Sequence, residues 1–441
     1  MTRRILIVAY YFPPVGGAGA QRPTKFAKYL VELGWEVVVI TPEVSKNNNR
    51  WAPEDLSFET DLQSQDARLS VVRVPNSRQG QKLLAIDFAE SWAESAGHSA
   101  AKLVKKKAFD AVLITMSPFS LVRAADIIRK ETDVKILLDF RDPWAFDGWQ
   151  PQKTYFHWRY QYREMKKAVR LADGIIANTI EAGSLIKENL LGFDNKKLTV
   201  IENGYDPEDF LELPVKPVRF AGSDTFILRF TGSFCTDTLA YKDGLRGTFK
   251  RLLEYTPENI DFSGRTLIHL LKAINLLISR GDPIGKLIRV ECFGVDTTAD
   301  RQSVHDAGLE EIVSFRGYLP HSESIKLIKS ADGLFLPLHG LAHGNRSRIT
   351  PGKAYEYLAT GRPILGCLPP GDARDLVEKY SVGTTADPCN PEQIASALRK
   401  IVKFQQCATD ENRLDDWISK YDRRNLTLRL VNFIDQLKKT D

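Results

Sequence analysis

The sequence predicts an α/β protein of two Rossmann-like domains, each a parallel sheet with helices on both faces. The chain has 441 residues, more than a single hydrophobic core usually serves. Short apolar runs alternate with amphipathic helical stretches through both halves of the chain. A stretch with several Pro and Gly residues, around residues 204–222, separates the two halves and is the predicted linker.

Composition narrows the class of protein. The 43% hydrophobic and 27% charged content is that of an ordinary globular protein, and no run approaches the ~20 apolar residues of a membrane span. The apolar run at residues 5–8 is predicted to be a buried strand rather than a signal peptide. Five scattered cysteines without a CxxC pair favour a reducing, cytoplasmic setting over disulfides or zinc. The net charge of +5 permits an anionic ligand or membrane surface, and no nucleic-acid motif is visible.

The strand pattern is assigned from the apolar runs. In the first half strands are predicted at residues 4–11, 36–41, 70–74, 111–115, 134–139, 174–177 and 198–201. In the second half they are predicted at residues 226–230, 288–293, 313–316, 333–337 and 363–368. Helices are predicted at residues 20–33, 155–171, 266–279, 323–329 and 353–360, with a closing helical segment at 417–439. The segment 235–263 fits neither sheet nor short turn, which is typical of a functional loop or an insertion.

A glycine-containing loop follows the first predicted strand. Gly16, Gly17 and Gly19 would let backbone N–H groups approach a ligand at the start of the next helix. Arg22 stands where a nicotinamide-binding GxGxxG loop would place its third glycine, so dinucleotide binding is disfavoured. A simple strand-to-helix turn remains the alternative.

Two carboxylates flank an arginine at the carboxyl end of the fifth predicted strand. Asp139, Arg141 and Asp142 lie at the edge where open α/β sheets bind their ligands. These side chains could orient hydroxyl groups or a leaving phosphate, and the alternative is a structural Asp–Arg pair.

A helix start in the second half combines several features of a nucleotide diphosphate site. Pro351 begins the helix, and its free N–H groups and positive dipole end favour an anion. Lys353, in the first turn after Gly352, could pair with a phosphate. Glu356, one turn on, could accept both hydroxyls of a ribose. The alternative is a surface helix with salt bridges.

The predicted helix at residues 155–167 mixes aromatic residues with cations. A basic amphipathic helix of this kind suits the surface of a membrane and a lipid-linked acceptor. The alternative is a core-facing aromatic stripe with a solvated basic face.

Taken in order, these segments resemble glycosyltransferase family 4, the retaining group 1 glycosyltransferases with the GT-B fold of two facing Rossmann-like domains and a deep cleft between them. The resemblance covers nearly the whole chain, through the segments 11–22, 200–206, 331–337 and 353–363. The spacing of Lys353, Glu356, Gly361 and Pro363 is its most specific part. It implies an acceptor-binding domain at 1–212, a donor-binding domain at 213–416, and a helix at 417–441 that crosses back to the first domain.

The resemblance also implies roles for individual residues. The residues that would bind the acceptor are Gly16, Gly17, Gly19, Arg22 and Asp139. The residues that would bind the donor are Gly232, Arg265, Arg348, Gly352, Lys353 and Glu356. Asp142, Arg141 and Lys353 are the catalytic candidates. Neither a cofactor nor a metal is expected, because such enzymes stabilise the leaving phosphate with side chains and helix dipoles.

The sequence departs from the family pattern where many members carry a Glu-x7-Glu pair. Arg348 occupies the position of the first glutamate, eight residues before Glu356. Where many members have a histidine facing the donor sugar, this chain has Arg141 or Asp142. The Arg and Lys-Gly that usually follow the strand before Gly232 are also absent, and Arg265 is the candidate replacement.

The resulting expectation is a retaining, metal-independent sugar transferase. It would take a nucleotide-sugar donor and a glycan, lipid-linked or small-molecule acceptor, in surface polysaccharide or glycoconjugate synthesis. Peripheral contact with the inner face of a membrane is a further expectation. A nucleotide-sugar epimerase, a phosphorylase and a catalytically silent nucleotide-sugar-binding protein remain alternatives.

Overall fold

The computed structural model describes residues 2–44, 55–63, 67–76, 85–149, 151–190, 197–211, 225–240, 254–341, 344–407 and 416–438. The chain divides into two compact domains. The N-terminal domain comprises Met1–Gly204, Glu254–Pro257 and Tyr421–Asp441, and the C-terminal domain comprises Tyr205–Leu253 and Glu258–Lys420. Pro214, Pro217 and Gly222 of the predicted linker, and the predicted boundary at 212/213, lie outside the described residues.

A seven-stranded parallel sheet forms the centre of the N-terminal domain. Its strands are β1 (Arg4–Val8), β2 (Glu36–Pro42), β3 (Leu69–Val74), β4 (Ala111–Met116), β5 (Ile136–Phe140), β6 (Gly174–Ala177) and β7 (Leu198–Val200). Their spatial order is β3-β2-β1-β4-β5-β6-β7. Strands β1 to β3 are added towards one edge of the sheet, and β4 to β7 are added towards the other edge. The predicted glycine loop and the predicted catalytic segment follow β1 and β5, at the carboxyl edge of this sheet.

Helices cover both faces of this sheet. They are α1 (Ala18–Glu32), α2 (Ser57–Gln63), α3 (Glu90–Lys106), α4 (Val122–Glu131), α5 (Tyr155–Leu171) and α6 (Ile180–Asn189). Leu6 and Val8 of β1 pack with α3, α4 and α5, whereas Ile5 and Ile7 belong to the opposite layer with α1. This alternation follows from the two-residue period of a strand.

The C-terminal domain contains a six-stranded parallel sheet and a small two-stranded one. Its strands are β8 (Phe226–Thr231), β9 (Ile260–Asp261), β10 (Ile288–Phe293), β11 (Val313–Phe315), β12 (Gly333–Pro337), β13 (Gly340–Leu341), β14 (Ile364–Cys367) and β15 (Gly383–Ala386). The large sheet has the order β11-β10-β8-β12-β14-β15, and β9 pairs antiparallel with β13.

The helices of this domain complete a second Rossmann-like unit. They are α7 (Glu208–Leu211), α8 (Thr236–Ala240), α9 (Ile268–Ser279), α10 (Pro283–Leu287), α11 (Thr298–Asp306), α12 (His321–Lys329), α13 (Gly352–Ala359), α14 (Asp372–Lys379) and α15 (Pro391–Cys407). The predicted fold class is therefore confirmed as two α/β domains with parallel sheets.

The last helix, α16 (Arg423–Lys438), belongs to the N-terminal domain. Its apolar side chains complete the layer formed by α1 and one face of the sheet, and they are Leu426, Leu430, Phe433, Ile434 and Leu437. A side chain on Gly204 would lie 2.4 Å from Leu426, so only glycine fits where the chain passes this helix. No helix among the described residues is long and apolar enough to cross a membrane.

Candidate functional site

The predicted site residues form two groups, one in each domain. In the C-terminal domain the donor candidates gather where β8 ends and α13 begins. The Lys353 Nζ donates to the carbonyl oxygen of Thr231 at 2.7 Å and lies 4.1 Å from the centre of the Phe230 ring. Gly232 follows directly, and a Cβ there would lie 2.5 Å from the same Nζ. Lys353 and Gly232 are thus brought together.

Burial and charge make this lysine unusual. Burial, followed by the nearby Arg265 guanidinium, lowers the pKa of Lys353 to about 7. Burial also lowers the pKa of Arg265. Two cations that repel each other in a poorly solvated position suit an anion bound between or beside them.

The start of α13 adds N–H groups to these cations. Pro351 precedes the first helical residue, Gly352, and no side chain caps this end. A Cβ on Gly352 would meet nothing within 4 Å, so the space beside it is open among the described residues. A helix start of this kind favours a negatively charged group.

Tyr357 fixes α13 against the end of β8. Its hydroxyl accepts a hydrogen bond from the Thr231 backbone N–H at 3.0 Å, and the tyrosine is fully buried. This contact holds the helix start beside Gly232, and sequence inspection did not single it out.

Glu356 is 8% exposed and has a partner that sequence reasoning missed. His321, the first residue of α12, places its Nε2 2.9 Å from a Glu356 carboxylate oxygen. The Asp209 carboxylate lies 4.0 Å from the other ring nitrogen of His321. The histidine therefore fixes the orientation of the predicted ribose-binding carboxylate.

Arg348 is engaged elsewhere in the same domain. It forms a 2.5 Å ion pair with Glu258, whose side chain is 8% exposed. The Asn345 amide also donates to Glu258, and Arg346 pairs with Asp375 at 2.6 Å. These partners favour a structural role for the loop, and donor contact by Arg348 stays a prediction.

In the N-terminal domain the catalytic candidates lie beside the glycine loop. The Arg141 guanidinium donates to the carbonyl oxygen of Gly19 at 3.1 Å. Gly17, at φ 80°, precedes α1, and a Cβ on Gly19 would meet the Tyr11 ring at 3.0 Å. The structure thus joins the segment after β5 to the start of α1, which follows the loop with the buried Gly16.

Asp142 has no hydrogen-bonded or ionic partner among the described residues. Burial raises the pKa of its carboxyl group, which Arg141 lowers and Asp139 raises to smaller extents. A half-buried carboxylate with no partner of its own is a candidate for contacting a ligand. Trp144, two residues on, has φ 42°, a conformation that is costly for a bulky side chain and recurs at functional sites.

Arg22 and Asp139 form a buried ion pair. Two hydrogen bonds of 2.8 Å join the guanidinium to the carboxylate, and Arg22 also donates to the carbonyl oxygen of Glu202 at 2.7 Å. Asp139 is fully buried and Arg22 is 4% exposed. These contacts correspond to the structural alternative, and they favour a role in holding the sheet edge over direct acceptor contact.

Tyr11 is a neighbour of this site that was not among the predicted site residues. Burial, with smaller effects of the nearby Tyr10 and Asp87, raises the pKa of its phenol to about 12. The hydroxyl therefore stays protonated at neutral pH and can donate a hydrogen bond.

Comparison with known structures defines the fold class. The chain is similar to sucrose-phosphate synthase from Thermosynechococcus elongatus, at 12% identity and TM-score 0.67 over 100% of both chains. It is also similar to the lipopolysaccharide outer core galactosyltransferase WaaB, at 12% identity and TM-score 0.56 over 98% of this chain and 99% of that one. UDP-GlcNAc 2-epimerase from Methanocaldococcus jannaschii matches at 11% identity and TM-score 0.54, over 98% and 99%. At these identities the likeness establishes the fold, which is GT-B.

A family model matches part of the chain. Residues 20–209 match the model described as Glycosyltransferase Family 4. The resemblance drawn from the sequence is confirmed over these residues. No curated protein matches the chain.

Proposed function

We propose that the protein is a retaining, metal-independent glycosyltransferase that moves a hexosyl group from a nucleotide-sugar to an acceptor hydroxyl. The observation that carries the proposal is the Lys353–Arg265 pair beside Gly232 and the open start of α13. Two cations and free N–H groups at one point provide the charge that a diphosphate requires.

The proposed chemistry needs little covalent help from the protein. The sugar–phosphate bond breaks, the acceptor oxygen bonds to the same face of the sugar, and the departing phosphate takes the hydroxyl proton. Lys353 and Arg265 stabilise the charge on the leaving phosphate, and Glu356, held by His321, binds the ribose. Asp142 and Arg141 orient the acceptor or sugar hydroxyls beside Gly19.

The setting is proposed from the same family. A cytoplasmic enzyme of surface polysaccharide or glycoconjugate synthesis would take a glycan, lipid-linked or small-molecule acceptor. Nucleic acid is not a proposed partner, and no cofactor is proposed. Gly16, Gly17 and Gly19 remain the proposed acceptor loop, and Arg348 remains a proposed donor contact.

The experiment is a thermal-shift screen of the full chain against nucleotides and nucleotide-sugars, because selective binding to the folded state raises its melting temperature. A shift with one nucleoside diphosphate and its sugar supports the donor site. Absence of a shift with every ligand, in a well-folded sample, contradicts it.

Glu356→Ala tests the ribose contact. We expect at least a ten-fold weaker nucleotide affinity by calorimetry, since a buried hydroxyl contact to a charged group contributes about 1.5–3 kcal/mol. Asp375→Ala, at the exposed Arg346 pair, is the matched control and should bind normally. Unchanged nucleotide affinity in Glu356→Ala would contradict the assignment of Glu356 to the ribose.

Two alternatives follow from specific observations. UDP-GlcNAc 2-epimerase shares the fold, and an epimerase would convert the nucleotide-sugar without an acceptor. Arg348 in place of a carboxylate favours a catalytically silent binder, which would bind donor but neither transfer nor hydrolyse it. Product analysis with and without an acceptor separates these outcomes.

A further inference from the structure

The outer face of α5 is the strongest feature that sugar transfer does not use. Its exposed residues recur with helical spacing, and they are Tyr155, Phe156, Arg159, Arg163 and Arg170. With 3.6 residues per turn they lie within an arc of about 100° and along roughly 22 Å of the helix. Lys166, half-buried, lies in the same arc.

This face is apolar at one end. Phe156 is 77% exposed and Tyr155 is 44% exposed. Tyr155 packs edge-on against Tyr255 with ring centroids 5.1 Å apart, and Trp158 lies 4.9 Å from the same ring. The neighbouring aromatic rings support Tyr155, while Phe156 projects beyond them. Contiguous exposed apolar surface of this kind marks a site of contact with a partner or a membrane.

The rest of the face is basic and lacks counterions. Among the described residues, Arg159, Arg163 and Arg170 have no acidic partner. The Glu164 carboxylate points the other way, because it is buried and pairs with Arg123 at 2.7 Å. Lys153, just before the helix, is exposed and also without an acidic partner in the described part of the chain.

The neighbouring helix α4 does not neutralise this charge. Its Asp126 binds both Lys167 of α5 and its own Lys130, at 2.9 and 3.0 Å. Because two lysines share one carboxylate, these three side chains keep one excess positive charge beside the outer face of α5.

We propose that the outer face of α5, Tyr155 to Arg170, docks on the surface of an anionic lipid bilayer. The unpaired cations meet the headgroup phosphates, and Phe156 and Tyr155 enter the interface between headgroups and acyl chains. The combination favours a bilayer over a soluble polyanion, because a polyanion would leave Phe156 exposed. The surface would hold the N-terminal domain next to a membrane-embedded acceptor.

The test is co-sedimentation of the full chain with vesicles of phosphatidylglycerol and phosphatidylcholine, against phosphatidylcholine alone, at low and high salt. We expect binding only to the anionic vesicles, weakened by salt. The double variant Arg159→Gln with Arg163→Gln should partition roughly 25-fold less, about five-fold per charge. Phe156→Ser should reduce partitioning roughly ten-fold at every salt concentration.

The matched control is Lys400→Gln with Lys403→Gln on α15, which removes two exposed charges one turn apart in the other domain. Neither lysine has an acidic partner among the residues that the structure describes. It should partition like the original chain, and an unchanged melting temperature shows that each variant is folded. The proposal is overturned by three results: no binding to anionic vesicles, equal losses in the control, or no effect of Phe156→Ser together with full competition by dextran sulfate. None of these depends on nucleotide binding, so they leave the proposed sugar transfer untouched.

Discussion

Lys353 should make the proposed nucleotide binding sensitive to pH. A lysine with a pKa of about 7 is half protonated at neutral pH, and only the charged form attracts a diphosphate. Above pH 7 the free protein loses this proton, so affinity for the nucleotide-sugar should fall by up to about ten-fold per pH unit. Below pH 6 the lysine is already charged and affinity should level off. Titration calorimetry between pH 6 and 9 measures this.

Lys353→Arg is the control for that titration, because arginine keeps its charge throughout the range. A slope as steep as that of the original chain in this variant would assign the pH dependence to another group.

Gly232 tests whether the space beside the lysine matters. Its φ of 130° is rare for residues with a side chain, and an added Cβ would lie 2.5 Å from the Lys353 Nζ. Gly232→Ala should therefore displace the ammonium group and weaken nucleotide binding at least ten-fold. Gly308→Ala, at φ 65° with nothing within 4 Å, also strains the backbone but should leave binding unchanged. Equal binding by both variants would contradict the role of Gly232.

For individual residues, the sequence predicted which side chains form the candidate site better than it predicted their contacts. Lys353 lies beside Gly232, which the family resemblance placed with it at the donor site, and beside Arg265, the candidate replacement for a missing family residue. The contact of His321 with Glu356 spans 35 residues and follows no local pattern, since a histidine at a helix start resembles any polar residue there. The burial of Arg22 with Asp139 likewise depends on the strand order of the sheet, which brings α1, after β1, close to the end of β5.

Helices α3, α4 and α5 are joined by one arginine. Arg123 of α4 binds Glu90 of α3 at 3.0 Å and Glu164 of α5 at 2.7 Å, and it donates to the Tyr160 hydroxyl at 2.6 Å. Arg123→Ala removes the cation that binds both of these nearly buried carboxylates. It should lower the free energy of unfolding by about 3 kcal/mol in urea denaturation.

Arg280→Ala provides the comparison, because its pair with Glu392 is half exposed on both sides. Exposed pairs are screened by solvent and contribute little to stability, so this variant should unfold almost like the original chain. A loss as large as that of Arg123→Ala would show that exposure does not separate the two pairs.

Whole elements were predicted where the apolar run was long. The buried parallel strands β4 and β10 lie close to their predicted ranges, because such strands are continuously hydrophobic. β15, with the sequence Gly-Thr-Thr-Ala, was missed because it has no apolar run and is held by its pairing with β14. The predicted first strand at 4–11 was too long, since pairing ends at Val8 before the Tyr–Pro turn.

At the scale of the molecule, the N-terminal domain depends on the last helix. Five apolar side chains of α16 are buried in its core. Deleting residues 422–441 would expose them and the sheet face beneath, at a cost of order 10 kcal/mol, which is comparable to the stability of a whole domain. We expect an insoluble or molten product by gel filtration and near-ultraviolet circular dichroism. Deleting only residues 439–441 should be harmless, and equal behaviour of both truncations would argue against this role.

The position of α16 also constrains the order of events during synthesis. β1 begins at Arg4, whereas the helix that covers its layer begins at Arg423, so the helix is synthesised about 420 residues after the strand. At ribosomal rates of about 5–20 residues per second, β1 waits roughly 20–80 seconds for this helix. The second domain has all its strands before then. A chain whose first domain is finished last needs protection of that apolar face while it is still attached to the ribosome.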